Sequence, residues 1–283
     1  MKFIGIDIGT TMIKGQLIDN NGLILCTSEF PSPSYIKESV HYVSAEKTER
    51  IATEIIINLT KDYKGEASFI CFSCFGEAFV LIDKEGNPLN DFILYVSNLG
   101  DCETKRIKSK IDSDCIAGIT GVYPHKMFSL SKLMWLKRKQ PQIYKRTWKM
   151  LMVAPYLVYK FTGSAVCDYS LASRTMCFDI RKKEWSSEII SAAGLDMNIF
   201  PPLKLADEIA GTIKCDLAEK LGVSSSCSIL VSGHDQMMAA LGSGMVLPGM
   251  ANDGMGTAEC VTLLLDKIPS NRDFFHNNFC VVP

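Results

Sequence analysis

Phe3-Ile4-Gly5-Ile6-Asp7-Ile8-Gly9-Thr10-Thr11-Met12-Ile13-Lys14 opens the chain and decides its fold. Ile4, Ile6 and Ile8 alternate with Gly5 and Asp7, a strand period with one apolar face. The strand ends in an acidic residue, Gly-Thr-Thr follows, and a second apolar run begins at once. Further on, Asn20-Asn21-Gly22 separates Met12–Asp19 from Leu23–Ser28. Asn-Gly between two apolar runs is a hairpin signal. The chain is therefore expected to start as a three-stranded antiparallel meander. Its first tip has a chemistry of its own. Gly9 permits close backbone approach, Thr10 and Thr11 offer N–H and O–H donors, and Asp7 can hold a magnesium ion or its waters. The same residues also fit a plain surface hairpin with a strand-end Asp.

Outward from the meander, Pro31 and Pro33 end the third strand. A helix is expected from Ser44, with Ile51, Ile55 and Leu59 at four-residue spacing. Ala67–Phe75, Phe79–Asp83 and Phe92–Val96 read as strands. Ser129 reads as the N-cap of a helix carrying Leu133, Trp135 and Leu136. Lys160 to Ala172 reads as loop, and Lys214 to Leu221 as a helix. Cys227–Ser232 is a buried strand, Gly233-His234-Asp235-Gln236 its turn, and Met237–Leu241 the start of a helix. Gly242, Gly244, Pro248 and Gly249 mark a boundary, giving domains 1–245 and 246–283. The second opens with another glycine-rich tip, Asn252-Asp253-Gly254-Met255-Gly256-Thr257-Ala258-Glu259, leading into an apolar run.

Composition narrows the class. The 283 residues carry a net charge of −1 and are 47% hydrophobic. That supplies one large core or two smaller ones, and the neutral balance argues against a nucleic-acid or anionic-membrane surface. Met1-Lys2 runs straight into the first strand, so no signal peptide is read, and a cytoplasmic location is expected. The apolar run from Met150 to Tyr159 is too short to span a bilayer. The 11 cysteines are odd in number and scattered, and Cys71-x-x-Cys74 has no second pair to complete a zinc site.

Asp235 lies where a strand gives way to a helix, and polar groups at the carboxyl ends of α/β strands face the ligand crevice. An Asp there can take the proton of an attacking hydroxyl, and Gln236 can bond the same ligand. An N-cap Asp is the competing reading.

Taken together these motifs resemble the FGGY carbohydrate kinases. Ile6-Asp7-Ile8-Gly9-Thr10-Thr11 with Lys14 is similar to the family's first phosphate motif, and Gly254-Met255-Gly256-Thr257 to its second. Met127 to Leu136 resembles its N-terminal signature, Asp168 to Met176 its middle loop, and Gly233 to Gly244 the segment that holds its catalytic Asp. The resemblance implies an α/β fold of the ribonuclease-H-like, actin-like ATPase type. It has a mixed sheet, its first three strands antiparallel, plus a truncated second domain of the same type. It implies phosphorylation of a sugar or polyol by ATP with Mg²⁺. Asp235 would be the base. Asp7 would position the metal. Gly9, Thr10, Thr11 and Lys14 would meet the β- and γ-phosphates, with Gly256 and Thr257 closing from the second domain. Glu77, Asp235 and Gln236 would contact the sugar.

The chain also departs from the family. Ser97 and Leu99 stand where many members carry an Asp and an Arg. Gly76 replaces the Arg that precedes the Glu in glycerol kinases, and Met127 stands at a Tyr position of theirs, which disfavours glycerol. Members also continue into the rest of a second domain with an adenine pocket. Hence a non-catalytic, truncated sugar-binding module is an alternative to the enzyme, and a chaperone-type actin-like ATPase is a third. Residues from about Val246 onward, with unpaired strands, are expected to pack on the first domain, to pair with a second copy, which would allow a homodimer, or to be poorly ordered.

Overall fold

The computed structural model describes residues 1–231, 233–255, 259–270 and 272–283. The meander forms as its pattern dictates. Strands β1 (Lys2–Ile8), β2 (Met12–Asp19) and β3 (Ile24–Pro31) pair antiparallel, with Asp7 opposite Lys14. Ile4, Ile6, Ile8, Ile13 and Leu17 are buried on one face, while Asp7, Lys14 and Gln16 on the other are exposed.

Helix α1 (Ala45–Thr60) lays Ala52, Ile55, Ile56 and Leu59 on the isoleucine face. Gly15 in β2 makes this approach possible, because a Cβ there would run into Ile55 Cγ2. Strand β4 (Ala67–Cys74) then enters parallel to β1, pairing Ile6 with Phe72 and Asp7 with Ser73. On the far side of β4, β5 (Ile209–Thr212) and β6 (Ser228–Leu230) extend the sheet. The short β7 (Gly233–His234) pairs with the end of β4, Gly233 opposite Ser73. The result is a mixed seven-stranded sheet. The helix Val153–Thr162 shares the isoleucine face with α1. Its Phe161 stacks on Phe72 with ring centroids 5.8 Å apart, and Tyr156 Oη donates to Glu49 of α1 at 3.1 Å. The cleft residues therefore lie on the opposite face, at the carboxyl edge of β1, β4 and β7.

Local departures from the sequence expectations have identifiable causes. Lys160–Ala172 is not one loop. Val153–Thr162 is helical, with Pro155 in its first turn where no amide donor is lost, and Gly163 ends it with φ 82°. Asp168 then caps a one-turn helix, Tyr169–Ser173, by accepting from the amides of Ser170 and Leu171. The strand expected at Phe92–Val96 is only Phe92–Ile93, and a turn closed by Ser97 N–H to the Leu94 carbonyl follows. Ser129 is the first residue of the helix Ser129–Lys139 rather than its cap; its hydroxyl is used elsewhere.

Past residue 245 the chain behaves differently. Strands β8 (Ala251–Met255) and β9 (Glu259–Leu263) pair with each other and, among the described residues, with no third strand. Neither has a buried residue. The segment after them packs back on earlier parts of the chain. His276 Nε2 lies 2.6 Å from Asp114 Oδ1, and Val281 N–H donates to the Gly121 carbonyl at 2.8 Å. Among the described residues no helix is long and apolar enough to cross a membrane.

Candidate active site

Strand register builds the site. Asp7, Ser73 and Gly233 stand side by side on three adjacent strands, and Asp235 begins the helix that leaves the third, Asp235–Gly242. Ser73 Oγ donates to Asp7 Oδ1. At the β1–β2 tip the Gly9 amide is committed to the Met12 carbonyl at 3.0 Å, so approach to a ligand falls to Thr10 and Thr11. A Cβ on Gly9 would lie 2.7 Å from that carbonyl oxygen, so the turn needs a glycine there. Lys14 is exposed beside Asp7 across the β1–β2 pair.

Asp235 is not the N-cap; His234 holds that position. The Asp235 carboxylate accepts from the Gln236 amide at 2.7 Å and is 29% exposed. Burial pushes its pKa up to about 6, with the Asp7 and Glu77 carboxylates adding to the rise, while the Gln236 amide and Arg174 oppose it. A carboxyl so placed is a stronger base than a surface Asp, yet still ionised at neutral pH. Its neighbour His234 is buried, which lowers its pKa to about 4. The imidazole is thus neutral, and its 3.5 Å approach to Asp235 is a polar contact rather than an ion pair.

The turn before Asp235 is held from behind. His234 N–H donates to Ser170 Oγ at 2.9 Å, and Ser170 in turn donates to the Asp168 carboxylate. Burial raises Asp168 to about 6, and the Ser170 and Leu171 donors keep it from rising further.

Glu77 lies close enough to Asp235 for its charge to be felt there. It is buried, in the left-handed region with φ 60°, and paired with Arg174, whose Nε donates to Oε1 at 2.7 Å. Ser129 Oγ donates to the Glu77 carbonyl at 2.7 Å. Lys132, fully buried on the same helix, donates to the Met127 carbonyl at 2.6 Å. Burial draws its pKa down to about 7, against the pull of Glu77.

Gln236 is half-buried, and its Oε1 lies where a Cβ on Gly254 would come within 3.0 Å, so the second hairpin rests against it. The other second-hairpin residues expected at the site, Gly256 and Thr257, lie outside the described residues.

Asp7, Asp235, Glu77 and Gln236 thus gather at one sheet edge. Sequence reasoning did not assign Ser73, Ser170, Lys132 or Arg174 to the site. The parallel β1–β4 register would have found Ser73. For a divalent cation the site offers exposed Asp7 with Ser73 beside it and Asp235 nearby, and among the described residues no cluster of three metal-ligating side chains occurs. That donor set suits Mg²⁺, which keeps several waters and takes its remaining ligands from phosphates.

A mixed sheet with an antiparallel opening meander, carrying acidic residues on the carboxyl edges of its first strand and a later strand, is the ribonuclease-H-like, actin-like architecture. Residues 2–242 match the model of the FGGY family of carbohydrate kinases, N-terminal domain, and the chain belongs to that family. It is 26% identical to a xylulose kinase of Lactococcus lactis over 279 residues, covering 96% of this chain and 55% of that one. Against a gluconokinase of Bacillus subtilis it is 25% identical over 266 residues, with coverage of 93% and 52%. Among solved structures, a xylulose kinase from Rhodospirillum rubrum superposes with a TM-score of 0.90 at 19% identity, covering 96% of this chain and 56% of that one. The chain spans about half the length of the curated relatives it matches.

Proposed function

We propose that this chain belongs to an ATP-dependent kinase acting on a hydroxyl of a sugar or polyol. The carrying observation is the juxtaposition of Asp7 and Asp235 at one sheet edge, with burial raising Asp235 to about 6. In this reading Asp235 accepts the proton of the attacking hydroxyl, while Glu77 and Gln236 orient the sugar. Thr10, Thr11 and Lys14 meet the β- and γ-phosphates, and Asp7 holds the magnesium ion or its waters. Bound Mg²⁺ neutralises charge on the phosphates. Residues 1–245 form the sugar-binding domain, and 246–283 begin a nucleotide-binding one whose Gly256 and Thr257 close on ATP and help exclude water. A site neighbour at Gly76 and Met127 unlike that of glycerol kinases points away from glycerol.

A second reading, a sugar-holding module without turnover, is favoured by the β8–β9 pair, which has no third strand among the described residues. One experiment separates the two. ADP release is followed for the 283-residue chain with Mg-ATP and a panel of D-xylulose, D-gluconate, L-fuculose and glycerol, beside sugar binding by calorimetry. Sugar-dependent turnover supports the kinase. Asp235→Asn should then lower kcat by roughly 10²–10⁴-fold with sugar binding retained, and wild-type kcat should fall as pH drops through about 6. Binding without turnover supports the module. An Asn variant with near-normal kcat would reduce Asp235 to a structural residue.

A further inference from the structure

The Glu77 carboxylate is divided in an informative way. Both donors that Arg174 offers it, Nε and one terminal nitrogen, go to the same oxygen, Oε1. Among the described residues nothing donates to Oε2. The side chain is only 5% exposed, and Oε2 is the part of it left open toward the cleft that holds Asp235.

Arg174 is itself held on every side. Its guanidinium stacks over Phe128, 5.3 Å from the ring centroid, with Cys280 close by. Gly76 explains how it reaches this place. A Cβ at residue 76 would sit 3.0 Å from Arg174 Cγ and 2.8 Å from the His234 ring. The missing side chain at 76 is therefore the space through which Arg174 reaches Glu77.

The charges around this acceptor are lopsided. Three carboxylates, Asp7, Glu77 and Asp235, gather here, and the first two raise the proton affinity of the third. Arg174 is committed to Glu77, and Lys132 is buried against the Met127 carbonyl. Lys126, partly buried, donates to the neutral Asn98 at 2.8 Å and has no carboxylate partner among the described residues.

We propose that Arg174 is a positioning residue of the sugar site: it pins Glu77 by one oxygen, leaves the other to accept a sugar hydroxyl, and so selects neutral polyhydroxylated sugars over aldonates. This rests on the sugar-site reading above. A hydroxyl donates to Oε2; an aldonate carboxylate at the same place would meet a like charge, with Arg174 already committed to Glu77.

Calorimetry on the full 283-residue chain with D-xylulose and D-gluconate tests it, with thermal melting run alongside. Wild type should bind D-xylulose at least about tenfold more tightly than D-gluconate. Arg174→Gln frees Glu77 and should weaken D-xylulose by roughly tenfold or more, with Arg174→Lys recovering part of the loss. Glu77→Gln removes the repelling charge and should narrow the xylulose-to-gluconate ratio. Gly76→Ala deletes no charge but displaces Arg174, and should shift the ratio in the same direction as Arg174→Gln. A merely structural role would lower affinity for both sugars together and leave their ratio unchanged. An unchanged ratio in Arg174→Gln and Gly76→Ala overturns the proposal while leaving the sugar site standing. So does a wild-type preference for D-gluconate abolished by Lys126→Ala. Failure of wild type to bind any sugar of the panel would instead remove the sugar-site reading itself.

Discussion

The two glycine-rich hairpins look alike in sequence and differ in almost everything tertiary. Ile6-Asp7-Ile8-Gly9-Thr10-Thr11 closes β1 on β2 inside a seven-stranded sheet, with Ile6, Ile8 and Ile13 buried beneath helices. Asn252-Asp253-Gly254-Met255 leads β8 into β9 in a two-stranded sheet, where Met255 is 84% and Val261 67% exposed. A local pattern of apolar alternation and glycine specifies a hairpin in both places. What it does not specify is what the apolar face rests on. The first hairpin is held by the packing of residues from α1 and β4, far along the chain; the second leans on Gln236 and its helix. Isolated two-stranded ribbons draw little stability from their own pairing.

The largest expected difference is in stability. Ile13→Ala removes a fully buried side chain from under α1 and should cost roughly 2–5 kcal/mol in urea unfolding. Val261→Ala, on the exposed ribbon, should stay within about 0.5 kcal/mol. Equal losses at the two sites would show that the ribbon is as firmly packed in solution as the meander.

Charge burial distinguishes the regions next. The first region contains a fully buried lysine, Lys132, whose pKa is drawn down to about 7 by burial. In the unfolded chain it returns to the ordinary value near 10.5. Between those pH values the unfolded chain holds the extra proton, so stability rises with pH. From pH 7 to pH 10 this one group should contribute a rise of about 3 kcal/mol. Lys132→Met should remove that rise, read as the wild-type minus variant difference in unfolding free energy across the range. A difference flat in pH would mean that the ammonium is solvated in the native protein.

These contrasts show which parts of the molecule could be read in advance. The meander, its Asn-Gly turn and the strand-to-helix step at Asp235 are written in contiguous residues; the meander and turn appear where expected, while Gly233–His234 extend as strand and the helix begins at Asp235, two residues before the expected Met237. Asp7 and Asp235 could be assigned to one edge because strand ends in α/β folds share it. Ser73 was hidden because it reaches Asp7 through a parallel register between strands 66 residues apart. Arg174 was hidden more deeply. It meets Glu77 across 97 residues, through a gap left by Gly76, and no local period announces such a contact. The helices within Lys160–Ala172 were missed because Gly163 and Asp168 read as loop residues, although one terminates a helix and the other caps the next.

The smallest contrast uses one glycine from each hairpin. Gly15 in β2 faces α1, and a Cβ there would collide with Ile55 Cγ2 and come 3.1 Å from Leu59 Cδ1. Both neighbours are buried core side chains, so they have nowhere to go without moving the helix. Gly15→Ala should therefore destabilise by about 1–3 kcal/mol, although alanine is otherwise tolerated better than glycine in a strand. Gly254 in β8 is different. Its Cβ would approach only the Oε1 atom of Gln236 at 3.0 Å and the Cys260 carbonyl oxygen at 3.6 Å. Gln236 Oε1 is the end of a flexible, half-buried side chain that can turn aside. Gly254→Ala should thus be near neutral by urea unfolding, and any effect should appear instead in how Gln236 meets a sugar. A loss at Gly254 matching that at Gly15 would mean the second hairpin packs against the seven-stranded sheet's layer through a fixed Gln236, and the two regions would then be one cooperative unit.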